Sequence, residues 1–407
     1  MIAKGNAYWI RNAVFVLKVF NAKIKHLVEE LSFMKIAMLG HKRIPGREGG
    51  IEVVVEELAT RMASKGNSVT VYNRAKKGHK ALKEYKGVHI ITIPTIQTKK
   101  LDAIIYSFLA SVHVSFTKTD IVHYHAIGPA SMLWIPHIFR KTTVVTIHGL
   151  NYKTPKWKGF GEKYIRWSEK VIAKYADAII TLSKEQQKYF REKYNRETFY
   201  IPNGTTVTFP KKANIINQKW GLNKDSYILF LSRVVPGKGL ETLIQAYKNV
   251  NTDLKLVVAG ESEYLSDFRS YVQQLASDDK RIVFVGFVDG DALVELYSNA
   301  YLFVFPSEAE GMPMCLLEAL SFNTPCLVSD IPENIEVGKN YVQKFKTGNV
   351  HDLSFKIQEC IEKRQQLFNR NSRLYIETEF NWDSIVDKTI GVYNGIGRNR
   401  HSFNAEL

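Results

Sequence analysis

The sequence predicts an α/β protein of two doubly wound parallel-sheet domains, on three observations. Short apolar runs recur, each bounded by glycine, proline or polar residues and separated from the next by a helical stretch, as in βαβ units around a buried parallel sheet. The pattern occurs twice, with a polar connection containing Pro210-Lys211-Lys212 between the two occurrences. A length of 407 residues exceeds what one ordinary core organises.

Residues 1–33 read as a basic amphipathic stretch, with apolar bulk such as Trp9, Phe15 and Phe20 interrupted by Lys4, Arg11, Lys18, Lys23 and Lys25, and no acid before Glu29. No apolar run there is long enough to span a bilayer. Three readings stand: an interfacial membrane helix, an extension upstream of a domain that starts at Met34, or a helix packed on a core or partner. A first strand over 34–40 runs into the loop His41-Lys42-Arg43-Ile44-Pro45-Gly46-Arg47-Glu48-Gly49-Gly50, and a helix follows over 51–65. Glycine admits close backbone approach and a helix N-terminus favours negative charge, so the loop suits a phosphate; a tight turn at Gly49-Gly50 is the plainer alternative.

Strands follow at 68–73, 88–93, 121–125, 142–147, 178–182 and 198–201, with helices at 103–116 and 162–175 and a basic exposed segment at 76–86. His125, His148 and Ser183 each stand where a strand gives out, on the edge where open parallel sheets bind ligands. His123, one step deeper on the same face, reads as core. After a linker at 205–223 the second unit has strands at 227–231, 254–258, 282–285, 300–306 and 324–328. Helices are expected at 240–249, 264–276 and 291–300, and the remainder is helical to about Ile396. The expected divisions are an extension 1–33, a first domain 34–208, a second domain 209–381, a helix 382–397 returning to the first domain, and a tail 398–407.

A content of 45% hydrophobic and 24% charged residues is that of a globular protein. Cys315, Cys326 and Cys360 form no CxxC pair, against a disulfide framework or structural zinc and for a reducing compartment. Residues 1–200 hold 34 lysines and arginines against 15 aspartates and glutamates, a net +19, while the rest of the chain nets −3. The basic half is either a solvated surface or a face for an anionic membrane, a phosphorylated ligand or nucleic acid. Nucleic acid is disfavoured, because no matching motif accompanies the charge.

The chemistry concentrates in Ser307-Glu308-Ala309-Glu310-Gly311-Met312-Pro313-Met314-Cys315-Leu316-Leu317-Glu318. The order is strand, tight turn, helix, with an acid on each side of the helix opening. Arg233 and Lys238 lie five apart in a glycine-containing loop between strand and helix, where a fork and a point charge can converge on one diphosphate. Two cations, a helix N-terminus and two carboxylates suit a nucleotide-sugar, the carboxylates accepting from ribose and sugar hydroxyls.

Arg233-x4-Lys238-Gly239, the Val285-Gly286-Phe287-Val288 turn, Glu310-x7-Glu318, Pro202-Asn203-Gly204 and the Trp382-containing helix resemble the GT-B glycosyltransferases of family 4. The stretch from Met34 to Arg74 resembles, more loosely, a subgroup of bacterial capsule rhamnosyltransferases. The resemblance implies two facing Rossmann-like domains and a retaining, metal-independent transfer with no cofactor. It implies that Arg233 and Lys238 neutralise the leaving diphosphate, that Glu318 binds ribose, and that Glu310 contacts the donor sugar. It further implies that the backbone of Met312, Pro313, Met314, Cys315 and Leu316 holds sugar and phosphate, that Phe287 and Val288 meet the base, and that Gly49 and Gly50 approach the diphosphate from the first domain. His148 is expected beside the sugar, hydrogen bonding and not relaying charge, because Gly149 follows it. Ser262 stands where the family often has a glycine.

The donor is then dTDP-rhamnose or a UDP-hexose, and the acceptor a lipid-diphosphate-linked saccharide for a surface polysaccharide. The enzyme would be cytoplasmic, held peripherally at the anionic inner face of the plasma membrane by its basic domain. Two alternatives are a nucleotide-sugar 2-epimerase of similar fold and a non-catalytic membrane-bound subunit of a polysaccharide assembly complex.

Overall fold

The structure is a computed structural model. It describes residues 33–46, 49–76, 78, 81–96, 102–150, 159–261, 266–368 and 370–404. The stretch 1–32, and with it nearly all of the amphipathic segment, lies outside the described residues, as do Arg47, Glu48 and Ser262.

The first sheet has eight strands: β1 (Lys35–Leu39), β2 (Ser68–Arg74), β3 (Glu84–Tyr85), β4 (Val88–Ile93), β5 (Ile121–His125), β6 (Thr142–Ile147), β7 (Ala178–Thr181) and β8 (Phe199–Tyr200). Their order is β3-β4-β2-β1-β5-β6-β7-β8. All neighbours are parallel except β3 against β4. The second sheet has β9 (Tyr227–Leu231), β10 (Lys255–Ala259), β11 (Ile282–Gly286), β12 (Leu302–Phe305), β13 (Cys326–Ser329) and β14 (Gln343–Phe345), in the order β11-β10-β9-β12-β13-β14. Central strands such as β5, β6 and β12 are buried along their whole length, which is why they read as unbroken apolar runs.

Each sheet reverses its winding once. In the first the chain moves outward from β1 and returns to lay β5 against β1; in the second it moves outward from β9 and returns to lay β12 against β9. At such a switch point the loops that leave the two central strands diverge and open a crevice. The loop after β9 carries Arg233 and Lys238, and the loop after β12 carries Glu310.

Three sequence expectations need correction. The remainder after 328 is not all helix, because β14 adds a sixth strand; its three residues include one buried apolar side chain, too little pattern to read. The linker 205–223 contains a helix, Ile215–Trp220. The last helix, Trp382–Asn404, continues past Arg398 into the segment expected to be a tail, since no proline or glycine follows Gly397 there. That helix lies on the first domain, where Trp382, Ile385, Val386 and Tyr393 join the core of Ile36, Val54 and Leu58. Arg61 and Lys65 pair with its Asp383 and Asp387 at 2.7 and 2.6 Å.

Candidate functional site

Lys238 Nζ is directly ion-paired to Glu310 Oε1, across the second sheet's switch point. The two side chains are only 14% and 10% exposed, so the pair is screened far less than a surface bridge. The loops that bring them together are clamped. Glu308 N–H donates to Gly237 O at 3.0 Å, Ser329 Oγ donates to Ser307 O at 2.5 Å, and Asn334 Nδ2 donates to Ser329 Oγ at 2.9 Å. Gly239 sits at φ +69°, and a Cβ there would fall 2.1 Å from Pro306 O; only glycine lets the two loops close up. Arg233 is exposed at the rim and, among the described residues, forms no ion pair.

The helix Met314–Ser321 opens beside this pair, its first turn offering N–H groups to an anion. Glu318, one turn in, accepts a hydrogen bond from Tyr297 Oη at 2.7 Å, and Tyr297 stacks on Phe322. Burial, reinforced by the Glu318 and Glu310 carboxylates, pushes the Cys315 thiol up to about 12. A thiol held neutral in this way is no nucleophile. Phe287 is exposed at the end of β11, while Val288 is packed against the second domain's core.

The first domain supplies the opposite wall. The end of β6 meets Gly311 so closely that a Cβ on Gly311 would lie 1.7 Å from the His148 carbonyl oxygen. Gln186 Nε2 donates to Gly311 O at 3.3 Å, and Asn203 N–H donates to Met312 Sδ at 2.9 Å. Gly50 faces Met314, with Cγ 3.6 Å from where its Cβ would be. Gly49 is the N-cap of the helix Gly50–Ser64, and the buried Glu52 accepts from Lys42 N–H at 3.0 Å, tying the residues just after β1 to the helix's first turn. Contacts thus join Gly50 to Met314, His148 to Gly311 and Lys238 to Glu310 where the two domains meet, whereas Arg233 and Phe287 are exposed. Ser183, the third strand-end candidate, caps the helix Lys184–Tyr194 by accepting from Gln186 N–H at 3.2 Å.

His148 does not stand alone. Its Nε2 shares a hydrogen bond with His125 Nδ1 at 3.0 Å, and the His125 ring lies 4.2 Å from that of His123. His123 in turn bonds Tyr393 Oη at 2.7 Å and Thr146 Oγ1 at 2.8 Å. Burial pulls His123 and His148 down to about 3 and His125 well below 6.5, so all three rings are neutral at pH 7. A neutral His148 offers hydrogen bonds and no charge. Sequence reasoning missed Tyr297 and Gln186. Tyr297 carries no local signal, but Ser183-x-x-Gln186 is a capping-box pattern that was there to be read.

Residues 48–209 match the family described as Glycosyltransferase Family 4, and residues 212–377 match Glycosyl transferases group 1. The chain carries a family 4 glycosyltransferase domain followed by a glycosyl transferases group 1 domain. This glycosyltransferase is 28% identical over 302 residues to UDP-Gal:alpha-D-GlcNAc-diphosphoundecaprenol alpha-1,3-galactosyltransferase of Escherichia coli, a match covering 68% of this chain and 75% of the relative. Its fold is that of sucrose-phosphate synthase from Thermosynechococcus elongatus, with TM-score 0.77, 20% identity, and coverage of 91% and 99% of the two chains. It is also that of Anabaena HepE, solved in complex with UDP and glucose, with TM-score 0.75, 18% identity, and coverage of 89% and 100%. Two facing Rossmann-like domains are therefore the architecture of this glycosyltransferase.

Proposed function

We propose that the enzyme moves a sugar from a nucleotide-diphosphate donor, dTDP-rhamnose or a UDP-hexose, to a lipid-diphosphate-linked saccharide in surface polysaccharide synthesis. The transfer proceeds with retention and without a metal, at the inner face of the plasma membrane. The observation that carries the reading is the Lys238–Glu310 pair at the switch-point crevice, beside a helix opening and facing His148 from the other domain. Glu310 holds the ammonium in the crevice, so the cation is in place before a diphosphate arrives. Lys238, Arg233 and the first turn of the helix Met314–Ser321 then take up the charge of the departing nucleotide, where most of the rate enhancement is needed. Glu318, oriented by Tyr297, receives the ribose hydroxyls, and Glu310 faces the donor sugar. The Phe287-Val288 backbone receives the base. Gly49 and Gly50 let the first domain close on the diphosphate, and neutral His148 donates to a sugar hydroxyl. The galactosyltransferase relative, whose acceptor is a diphosphoundecaprenol-linked sugar, and the UDP complex of HepE support this choice of substrates.

The test is release of nucleotide diphosphate from a panel of UDP-hexoses and dTDP-rhamnose in the presence of a lipid-diphosphate saccharide. Release is expected with one donor, and Lys238→Ala and Glu310→Ala are each expected to lower it by about 10²–10³-fold while staying folded. Wild-type turnover in either variant, or a product that keeps its nucleotide as an epimerase's would, overturns the proposal.

A further inference from the structure

The helix Asp102–Ser115 is apolar on its outer face as well as on its inner one. Its buried face carries Ser107, Ser111 and Ser115 alongside Tyr106, Ala110 and Val114. Each serine hydroxyl donates to the carbonyl four residues back, at 2.6 to 2.7 Å, so burying it leaves nothing unsatisfied. Large apolar side chains also point outward: Phe108 and Leu109 on the helix, and Phe116, 73% exposed, just beyond it. The helix Trp134–Ile138 packs alongside and adds exposed Trp134, Ile138 (65%) and Phe139. The Phe116 and Phe139 rings meet edge to face at 4.9 Å, which makes the two helices' outer faces one surface. Scattered apolar residues on a surface need no explanation, but a contiguous aromatic patch marks a contact.

Charge says with what. From residue 102 to residue 150 the chain holds Lys118, Arg140 and Lys141 against two acids, Asp102 and Asp120. Both carboxylates are already used, Asp102 pairing with Arg74 at 3.3 Å and Asp120 accepting from Lys35 N–H at 2.8 Å. Lys118 and Arg140 are exposed beside the patch. A second copy of this chain would set cations against cations. Among the described residues no helix is long and apolar enough to cross a membrane, so the patch can lie on a bilayer but not span it. We propose that this surface is where the protein inserts into the headgroup layer of an anionic phospholipid membrane, with aromatic and aliphatic side chains in the interface and lysine and arginine on the phosphates. The inference rests on the membrane association proposed above and names the residues that make it. Phe116 and Phe139 precede β5 and β6, so the patch lies toward the sheet edge opposite the one that carries His148. Changing it should leave the cleft untouched.

The experiment is vesicle flotation of the full chain with phosphatidylglycerol-rich and with pure phosphatidylcholine vesicles, at low and high salt. It is run beside F116S/I138S/F139S, which removes apolar surface and no charge. The wild type is expected to float with anionic vesicles and to stay partly bound at high salt, where the electrostatic share is screened. The triple variant should partition at least about tenfold less at high salt, with unchanged turnover of soluble donor. Equal flotation of the two proteins overturns the patch and leaves membrane association standing. No flotation of the wild type overturns both, while donor turnover reports separately on glycosyl transfer. Self-association or retention of an acidic protein that the triple variant abolishes, without flotation, assigns the surface to a protein and overturns the lipid.

Discussion

Gly311→Ala probes how the two domains meet. The added Cβ would lie 1.7 Å from the His148 carbonyl oxygen, 2.5 Å from its carbon and 2.9 Å from Gly149 Cα. A non-bonded carbon settles no closer than about 3.3 Å from such an oxygen, so the domains must part locally by about 1.5 Å. All three obstructing atoms are backbone, and no rotamer change can relieve them. The clash lies between the domains and outside both cores, so each domain should fold and the melting temperature should shift by only a few degrees. Lys238, Glu310 and Glu318 belong wholly to the second domain, and nucleotide affinity measured by calorimetry should change little. Misplacing reacting groups by about 1 Å costs on the order of 100-fold, so kcat/KM for transfer is expected to fall by about that factor. Wild-type kcat/KM in a folded Gly311→Ala protein would refute the described contact, and an unfolded one would contradict its confinement to the interface.

Other outcomes follow from the same geometry. Gly50→Ala places its Cβ at an ordinary 3.6 Å from Met314 Cγ, so stability should be unchanged in a thermal melt; a loss of donor affinity would then report crowding of the donor itself. Tyr297→Phe removes the donor 2.7 Å from Glu318, worth about 1 kcal/mol, and should raise the donor KM about fivefold with kcat nearly constant; a fall in kcat alone would contradict the positioning role. His41, His123 and His148 are held at about 3 by burial against a usual 6.5, so below pH 6.5 only the unfolded chain gains their protons. Their contribution is complete above pH 6.5 and declines by about 1.4 kcal/mol per pH unit for each ring down toward pH 3. A melting temperature that stays flat from pH 7 to pH 5 would count against buried neutral rings.

Most of the fold was legible because its central strands are buried nearly throughout: β5, β6 and β9 coincide with the apolar runs that predict them. β14 was not, since Gln343-Lys344-Phe345 is held in place by β13 and not by its own pattern. The same divide runs through the cleft. Lys238, Glu310 and Glu318 stand in local motifs, and the sequence shows them. Tyr297 and Tyr393 act only on residues brought to them from elsewhere in the chain, Glu318 and His123, and nothing in their own neighbourhoods announces it. The apolar outer face of the helix Asp102–Ser115 was hidden for a related reason. A sequence shows that a helix is apolar but not which side faces the sheet.

The return of the last helix to the first domain bears on the order in which the chain can mature. A ribosome delivers β1 to β8 first, yet the core they surround is closed by Trp382, Ile385, Val386 and Tyr393, which emerge only after the whole second domain. The usual N-terminal-first sequence of domain completion cannot apply here. The second domain can finish as soon as it leaves the tunnel, while the first waits with an open flank for the final helix. A chain that stops after Phe380 but before the last helix would therefore fail at its earlier half, leaving the second domain as its best-folded part.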